Sequence, residues 1–137
     1  MSELNDWNTK IIDEFRSNQG RVGQFEGAPL LLLTTKGAKT GETRVNPVMY
    51  LVEDGVTYVF GSFAGDPKNP AWYHNLVAHP QVTVEKGTET YDATARVITG
   101  ADRDRVYAIQ AGLFPTFAEY QEKTSRVIPV VALEPAS

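Results

Sequence analysis

The chain has 137 residues, 42% of them hydrophobic and 22% charged, and a formal net charge of −4; this size and balance predict one folded domain with a real core. The acidic balance argues against a nucleic-acid partner, whose footprint is a basic face, and the absence of cysteine removes disulfides, thiolate metal sites and thiol nucleophiles. A polar, acidic N-terminus is unlike a signal peptide, and the longest apolar run, Ala28 to Leu33, is too short to span a bilayer, so a cytoplasmic protein is expected.

Residues 2–18 read as an amphipathic helix, with Trp7, Ile11, Ile12 and Phe15 on one face and Gly20 as the stop. Such a helix packs on a core; weak contact with the inner membrane is the minority reading, since the opposite face is mixed rather than basic. Four strands are expected next, at Leu30–Thr35, Thr43–Val52, Thr57–Ser62 and Val82–Glu85, with Asp54-Gly55 turning the second into the third. Asn69 and Pro70 have the form of an N-cap and first helical residue, opening a short helix from Ala71 to Val77 that ends before His79-Pro80. Lys86-Gly87 centres a hairpin into a strand at Tyr91–Ile98; helices at Ala101–Ala111 and Phe114–Lys123 follow, and Val127–Leu133 is the last strand. Hairpin-joined strands with helices at the N-terminus, in one crossover and near the C-terminus indicate an antiparallel α+β fold. Strands of this number and length close into a barrel, which removes their edges. The whole chain, 1–137, reads as a single domain, with the helix over 1–20 and the barrel with its flanking helices over 28–135.

The segment Lys36-Gly37-Ala38-Lys39-Thr40-Gly41-Glu42-Thr43-Arg44 places a Gly-rich, cationic connection between the first two strands. Glycine allows the backbone to expose N–H groups, and successive N–H groups make an anion-binding concavity. Lysine adds a compact charge and arginine a two-pronged donor suited to phosphate. In an acidic chain this suggests a phosphorylated small molecule, although the same residues are also ordinary hairpin chemistry. The order is not that of a P-loop, and no Gly-Xaa-Gly-Xaa-Xaa-Gly fingerprint occurs.

Reactive groups are scarce. His74 and His79 are five apart, a spacing that does not favour a shared metal, and no metal site is expected. None of the serines lies in a nucleophile elbow. If the protein is an enzyme, a cofactor brings the difficult step. Met49, Tyr50, Phe60, Phe63, Trp72 and Tyr73 could grip a flat ring or simply fill the core.

Three ordered motifs carry a resemblance: Thr35-Lys36-Gly37-Ala38-Lys39-Thr40-Gly41, Arg44-Val45-Asn46-Pro47, and Lys68-Asn69-Pro70-Ala71-Trp72-Tyr73-His74-Asn75-Leu76. From about Gly27 to Pro135 the sequence resembles the deazaflavin-dependent nitroreductase family, split-barrel oxidoreductases that use coenzyme F420. The resemblance implies a split β-barrel related to FMN-binding proteins. It also implies that Lys39 and Arg44 hold the coenzyme's phosphate and acidic tail, with Ala38 and Thr40 as further coenzyme contacts. Val45, Asn46, Pro47, Val48 and Met49 then match the strand along the deazaflavin ring. Phe60, Gly61, Ser62 and Phe63 match the neighbouring strand end, and Ala71, Trp72, Tyr73, His74 and Asn75 the flanking helix.

Phe117 matches an aromatic over the ring on the substrate side. It lacks the hydroxyl often found there, as does Phe114, while Tyr120 keeps one, and Phe63 stands where a lysine can occur. The implied activity is hydride transfer from the reduced coenzyme to a planar, electron-poor acceptor such as a quinone, enone or nitro compound. Ser62 and Tyr120 are the candidate catalytic donors, and Phe114, Phe117 and Tyr120 the acceptor-binding set. An FMN-dependent relative and a coenzyme carrier without turnover are the alternatives. The oligomeric state is open.

Overall fold

The computed structural model describes residues 3–18, 30–53, 55–61, 71–124 and 127–135, with residues 3–8 as backbone alone. Helix α1 (Glu3–Ser17) precedes strands β1 (Leu30–Lys36), β2 (Thr43–Glu53) and β3 (Val56–Phe60). Helix α2 (Ala71–Ala78) leads into β4 (Gln81–Lys86) and β5 (Glu89–Ile98), and helices α3 (Gly100–Leu113) and α4 (Thr116–Lys123) precede β6 (Val130–Pro135). The six strands close into a barrel in the order β1-β2-β3-β6-β5-β4, every pairing antiparallel.

Strand alternation sorts the apolar residues into an interior and two outer clusters. Leu31 and Leu33 of β1, Val59 of β3, Val84 of β4 and Val131 and Leu133 of β6 fill the interior, and Trp72 and Leu76 of α2 join them. On the outside, Ile11 and Phe15 of α1 bury against Leu30 and Leu32. Ile11 and Phe15 of the helical stripe are therefore spent on the barrel. Among the described residues no helix is long and apolar enough to cross a membrane.

The second outer cluster sits under α3 and α4, where Tyr58 and Phe60 meet Val106, Tyr107 and Phe117. Arg103 fastens the two helices to the chain before β6: its Nε donates to Ile128 O at 3.0 Å and its Nη2 to Gln121 Oε1 at 2.6 Å. A charged donor paired with a backbone carbonyl and a side-chain amide offsets the cost of burying the guanidinium.

Most boundaries shift by one or two residues from the sequence reading, and the shifts around α3, α4 and the last strand have a visible cause. Helix α3 runs on to Leu113, and Phe114 caps it, its N–H donating to Gln110 O at 2.8 Å. Phe114 and Pro115 thus form the corner, and α4 starts at Thr116 rather than Phe114. The last strand begins at Val130, not Val127, because Pro129 has no N–H to give a ladder; its carbonyl instead accepts the Gly61 N–H at 2.9 Å. The expected cap at Asn69-Pro70, the stop at Gly20 and Asp54 of the turn lie outside the described residues, as does Ser62, the expected end of β3.

One feature of the pairing positions the site. From Thr43 to Met49, β2 pairs only with β1, because β3 first meets β2 at Tyr50↔Val59 and then stays with β6 through Phe60↔Val130. Among the described residues this half of β2 has one edge without a partner strand, which is the split in the barrel. Pro47, which lacks a donor, sits in that half.

Candidate functional site

The connection between β1 and β2 is a tight turn rather than an open loop. Gly37 O accepts the Gly41 N–H at 2.9 Å, the Gly37 N–H donates to Glu42 O at 2.7 Å, and Thr40 Oγ1 accepts the Glu42 N–H at 3.2 Å. A Cβ at Gly37 would lie 2.8 Å from Thr40 Oγ1 and 3.2 Å from Glu42 O, so any other residue there requires Thr40 and the Glu42 carbonyl to shift. Gly41 takes φ +73°, the left-handed region that glycine enters without strain.

The buried Asn75 of α2 clamps the turn from beneath. Its Oδ1 accepts the Ala38 N–H at 3.0 Å, and its Nδ2 donates to Thr35 Oγ1 at 3.1 Å. With Gly37, Ala38, Gly41 and Glu42 engaged, the N–H groups of Lys39 and Thr40 have no partner among the described residues. Two adjacent free donors on a turn that also carries the Lys39 ammonium are groups suited to an anion.

That turn is one wall of a groove of about 860 Å³, within the size range of small-molecule sites. Ala38, Lys39, Thr40, Arg44, Val45 and Asn46 line it from the β1–β2 side, and Ala71, His74 and Asn75 from α2. Nine residues expected around a coenzyme are thereby brought together. Thr9 and Ile12 of α1 line it too, a contribution the sequence reading did not foresee. Helical periodicity had placed Ile12 on the core face, and nothing local distinguishes a residue at that face's border. Arg44 is not idle: its Nη2 lies 3.0 Å from Glu42 Oε2, both side chains well exposed.

The remaining expected residues lie elsewhere. Trp72 is buried in the barrel interior with Val48, and Tyr73 packs against the same cluster, its ring edge-on to His74 at 5.6 Å. Met49 packs against both outer clusters, joining the α1 side of β2 to the α3–α4 side. Phe60 and Phe117 form an edge-on ring pair at 5.6 Å. Phe117, 4% exposed, also meets Tyr107 and Tyr120 edge-on, and its carbonyl accepts the Tyr107 hydroxyl. Phe117 is thus a core residue of α4, and Phe114 packs partly buried on the same cluster. Tyr120 is half-buried there, and its hydroxyl has no partner among the described residues. Gly61 is buried at the end of β3. Ser62 and Phe63 lie outside the described residues.

The lining suits a ligand that is anionic at one end and apolar beyond it: cations and free N–H groups at the turn, then Val45 of β2 and Ile12 of α1. Comparison with known proteins gives the family. The family model for F420H(2)-dependent quinone reductases matches residues 7–135. An F420H(2)-dependent quinone reductase of Mycobacterium tuberculosis is 38% identical over 124 residues, covering 87% of this chain and 83% of that protein. The solved structure of an F420-H2 dependent reductase (FDR-A) is 42% identical, with a TM-score of 0.71 over 77% of this chain and 94% of that one. A solved domain-swapped dimer is 37% identical, with a TM-score of 0.72 over 96% of this chain and all of its own. With its split barrel, cationic turn and ordered motifs, the chain belongs to the F420H(2)-dependent quinone reductase family.

Proposed function

We propose that this oxidoreductase holds coenzyme F420 with its anionic tail at the 37–44 turn and its ring along β2, and reduces a quinone there. Family membership makes F420 the cofactor and a quinone the acceptor; the placement of each part is our reading. The observation that carries it is the half-strand of β2 from Thr43 to Met49, partnered on one side only among the described residues, running directly out of the cationic turn.

Reduced coenzyme F420 supplies the hydride. The protein's residues do the rest. Lys39, Arg44 and the free N–H groups of Lys39 and Thr40 neutralise the tail. Val45, Pro47 and Met49 give an apolar bed beside unpaired strand backbone, and α2 closes the end through Ala71 and His74. A planar acceptor stacks on the exposed ring face, where orientation supplies much of the rate. Negative charge develops on the quinone oxygen, where a hydrogen-bond donor or solvent must meet it. We place the reaction in the cytoplasm, a reading supported by the cysteine-free composition.

Titrating the purified protein with oxidised coenzyme F420, then following the oxidation of the reduced form by a soluble quinone analogue, tests the proposal. Saturable binding and quinone-dependent oxidation are expected. Binding without oxidation would mark a carrier, and no binding would overturn the assignment of the groove.

A further inference from the structure

Helix α1 supplies a wall of the groove that neither the turn nor the sheet explains. It lies across the outer face of β1, with Ile11 and Phe15 buried against Leu30 and Leu32. Its last turn is fixed to β4 by a two-pronged pair: Arg16 Nε donates to Glu85 Oε1 at 3.1 Å, and Nη2 to Oε2 at 2.8 Å. The bond to Glu85, outweighing the effect of burial, holds the Arg16 guanidinium above its ordinary pKa.

With Ile11 and Phe15 committed to the barrel, the neighbouring stripe of Thr9 and Ile12 borders the groove. Ile12 and Val45 are both half-buried and pack against the same cluster. An apolar strip contributed by two separate elements therefore adjoins the cationic end formed by Lys39 and Arg44. Water alone gains nothing from an apolar strip beside cations, whereas a ligand with an uncharged portion next to an anionic one covers both.

We infer that α1 is part of the coenzyme site. Ile12, together with Val45, contacts the uncharged portion of the coenzyme that adjoins its anionic tail. The Arg16–Glu85 pair is the clamp that sets the distance of α1 from β2, which makes Arg16 a positioning residue. This rests on the reading of the groove as the F420 site.

The test combines fluorescence titration, stopped-flow release and hydrogen exchange of α1 amides, with and without oxidised coenzyme F420. In the wild-type protein, coenzyme should slow exchange across residues 9–16. Ile12→Ala should weaken binding by about three- to tenfold, the worth of a few partly buried carbons, while Ile12→Val stays close to wild type. Arg16→Glu should speed release by about two- to fivefold, the range of an exposed ion pair. Adding Glu85→Arg should restore it, which a purely structural loss of arginine would not allow. Wild-type affinity and release in Ile12→Ala and Arg16→Glu, with α1 exchange indifferent to coenzyme, would remove α1 from the site and leave the reading of the turn standing. Failure of the wild-type protein to bind coenzyme would overturn both. Should Ile12→Ala not fold, exchange in the wild type and the Arg16–Glu85 swap still decide.

Discussion

Asn75 Oδ1 accepts the N–H of Ala38 at 3.0 Å, so a side chain of α2 holds the first residue of the cationic turn. The other end of the same amide is tied to Thr35. Asn75→Ala would leave the buried Thr35 hydroxyl and the part-buried Ala38 N–H unpaired, at about 1–3 kcal/mol. A lowered melting temperature is expected together with weaker coenzyme binding. Affinity unchanged in the folded variant would show that the turn keeps its shape without the clamp.

Lys39→Ala and Arg44→Ala together should weaken coenzyme binding by roughly 2–5 kcal/mol, each removing a charge-assisted hydrogen bond of about 1.5–3 kcal/mol. The lower part of that range is favoured, since Arg44 must give up Glu42 to reach a ligand. Glu42→Gln should therefore tighten binding by up to about 1 kcal/mol. Titration of the double variant and of Glu42→Gln at fixed ionic strength checks both effects, which shrink with salt.

At Gly37 a methyl group meets Thr40 Oγ1 and Glu42 O, and the carbonyl cannot yield without opening the turn. Gly37→Ala should cost coenzyme affinity more than it costs melting temperature, because the strain falls on an exposed connection. A variant with native affinity would show that the turn deforms freely.

Phe117→Ala removes a ring packed against Phe60, Tyr107 and Tyr120 and should lower stability by about 3–5 kcal/mol. Turnover per folded molecule should change little, as the ring faces the α3–α4 core. A normal melting temperature with depressed turnover would return Phe117 to the acceptor face.

Gln110 is fully buried, and among the described residues neither its amide oxygen nor its nitrogen has a partner. Replacing such a group by an apolar one of similar shape removes an uncompensated desolvation cost. Gln110→Met should raise the unfolding free energy by about 1–3 kcal/mol in urea denaturation. A loss of stability would reveal a hydrogen bond formed by that amide in solution.

Much of this was readable in advance, for identifiable reasons. Alternating apolar residues and Gly-centred turns report directly on strands and hairpins, so the six strands and the order of the helices followed from pattern alone. The turn was legible because glycine and clustered cations have few other uses in an acidic chain. Corners were harder: Phe114 continues the apolar spacing of the next helix, and only its N–H bond to Gln110 shows that it ends the previous one. Asn75 read as a cofactor contact because it stands in a motif, whereas its amide is spent on the turn. Ile12 read as core because periodicity reports which face is apolar, not which edge of that face borders a cavity. Phe117 read as an acceptor contact by likeness; its neighbours in space, Phe60 and Tyr107, are far off in the chain.

The unpartnered half of β2 also bears on solubility. A strand edge with open N–H and C=O groups is a template on which another chain can add a strand, and natural proteins guard such edges with charge or with proline. Here Arg44 stands at its entry and Pro47 in its middle, so an edge with no second partner strand among the described residues is blunted against self-association. Coenzyme lying along it would act as a gatekeeper in its own right: the loaded protein should tolerate higher concentration than the bare one before its chains join edge to edge.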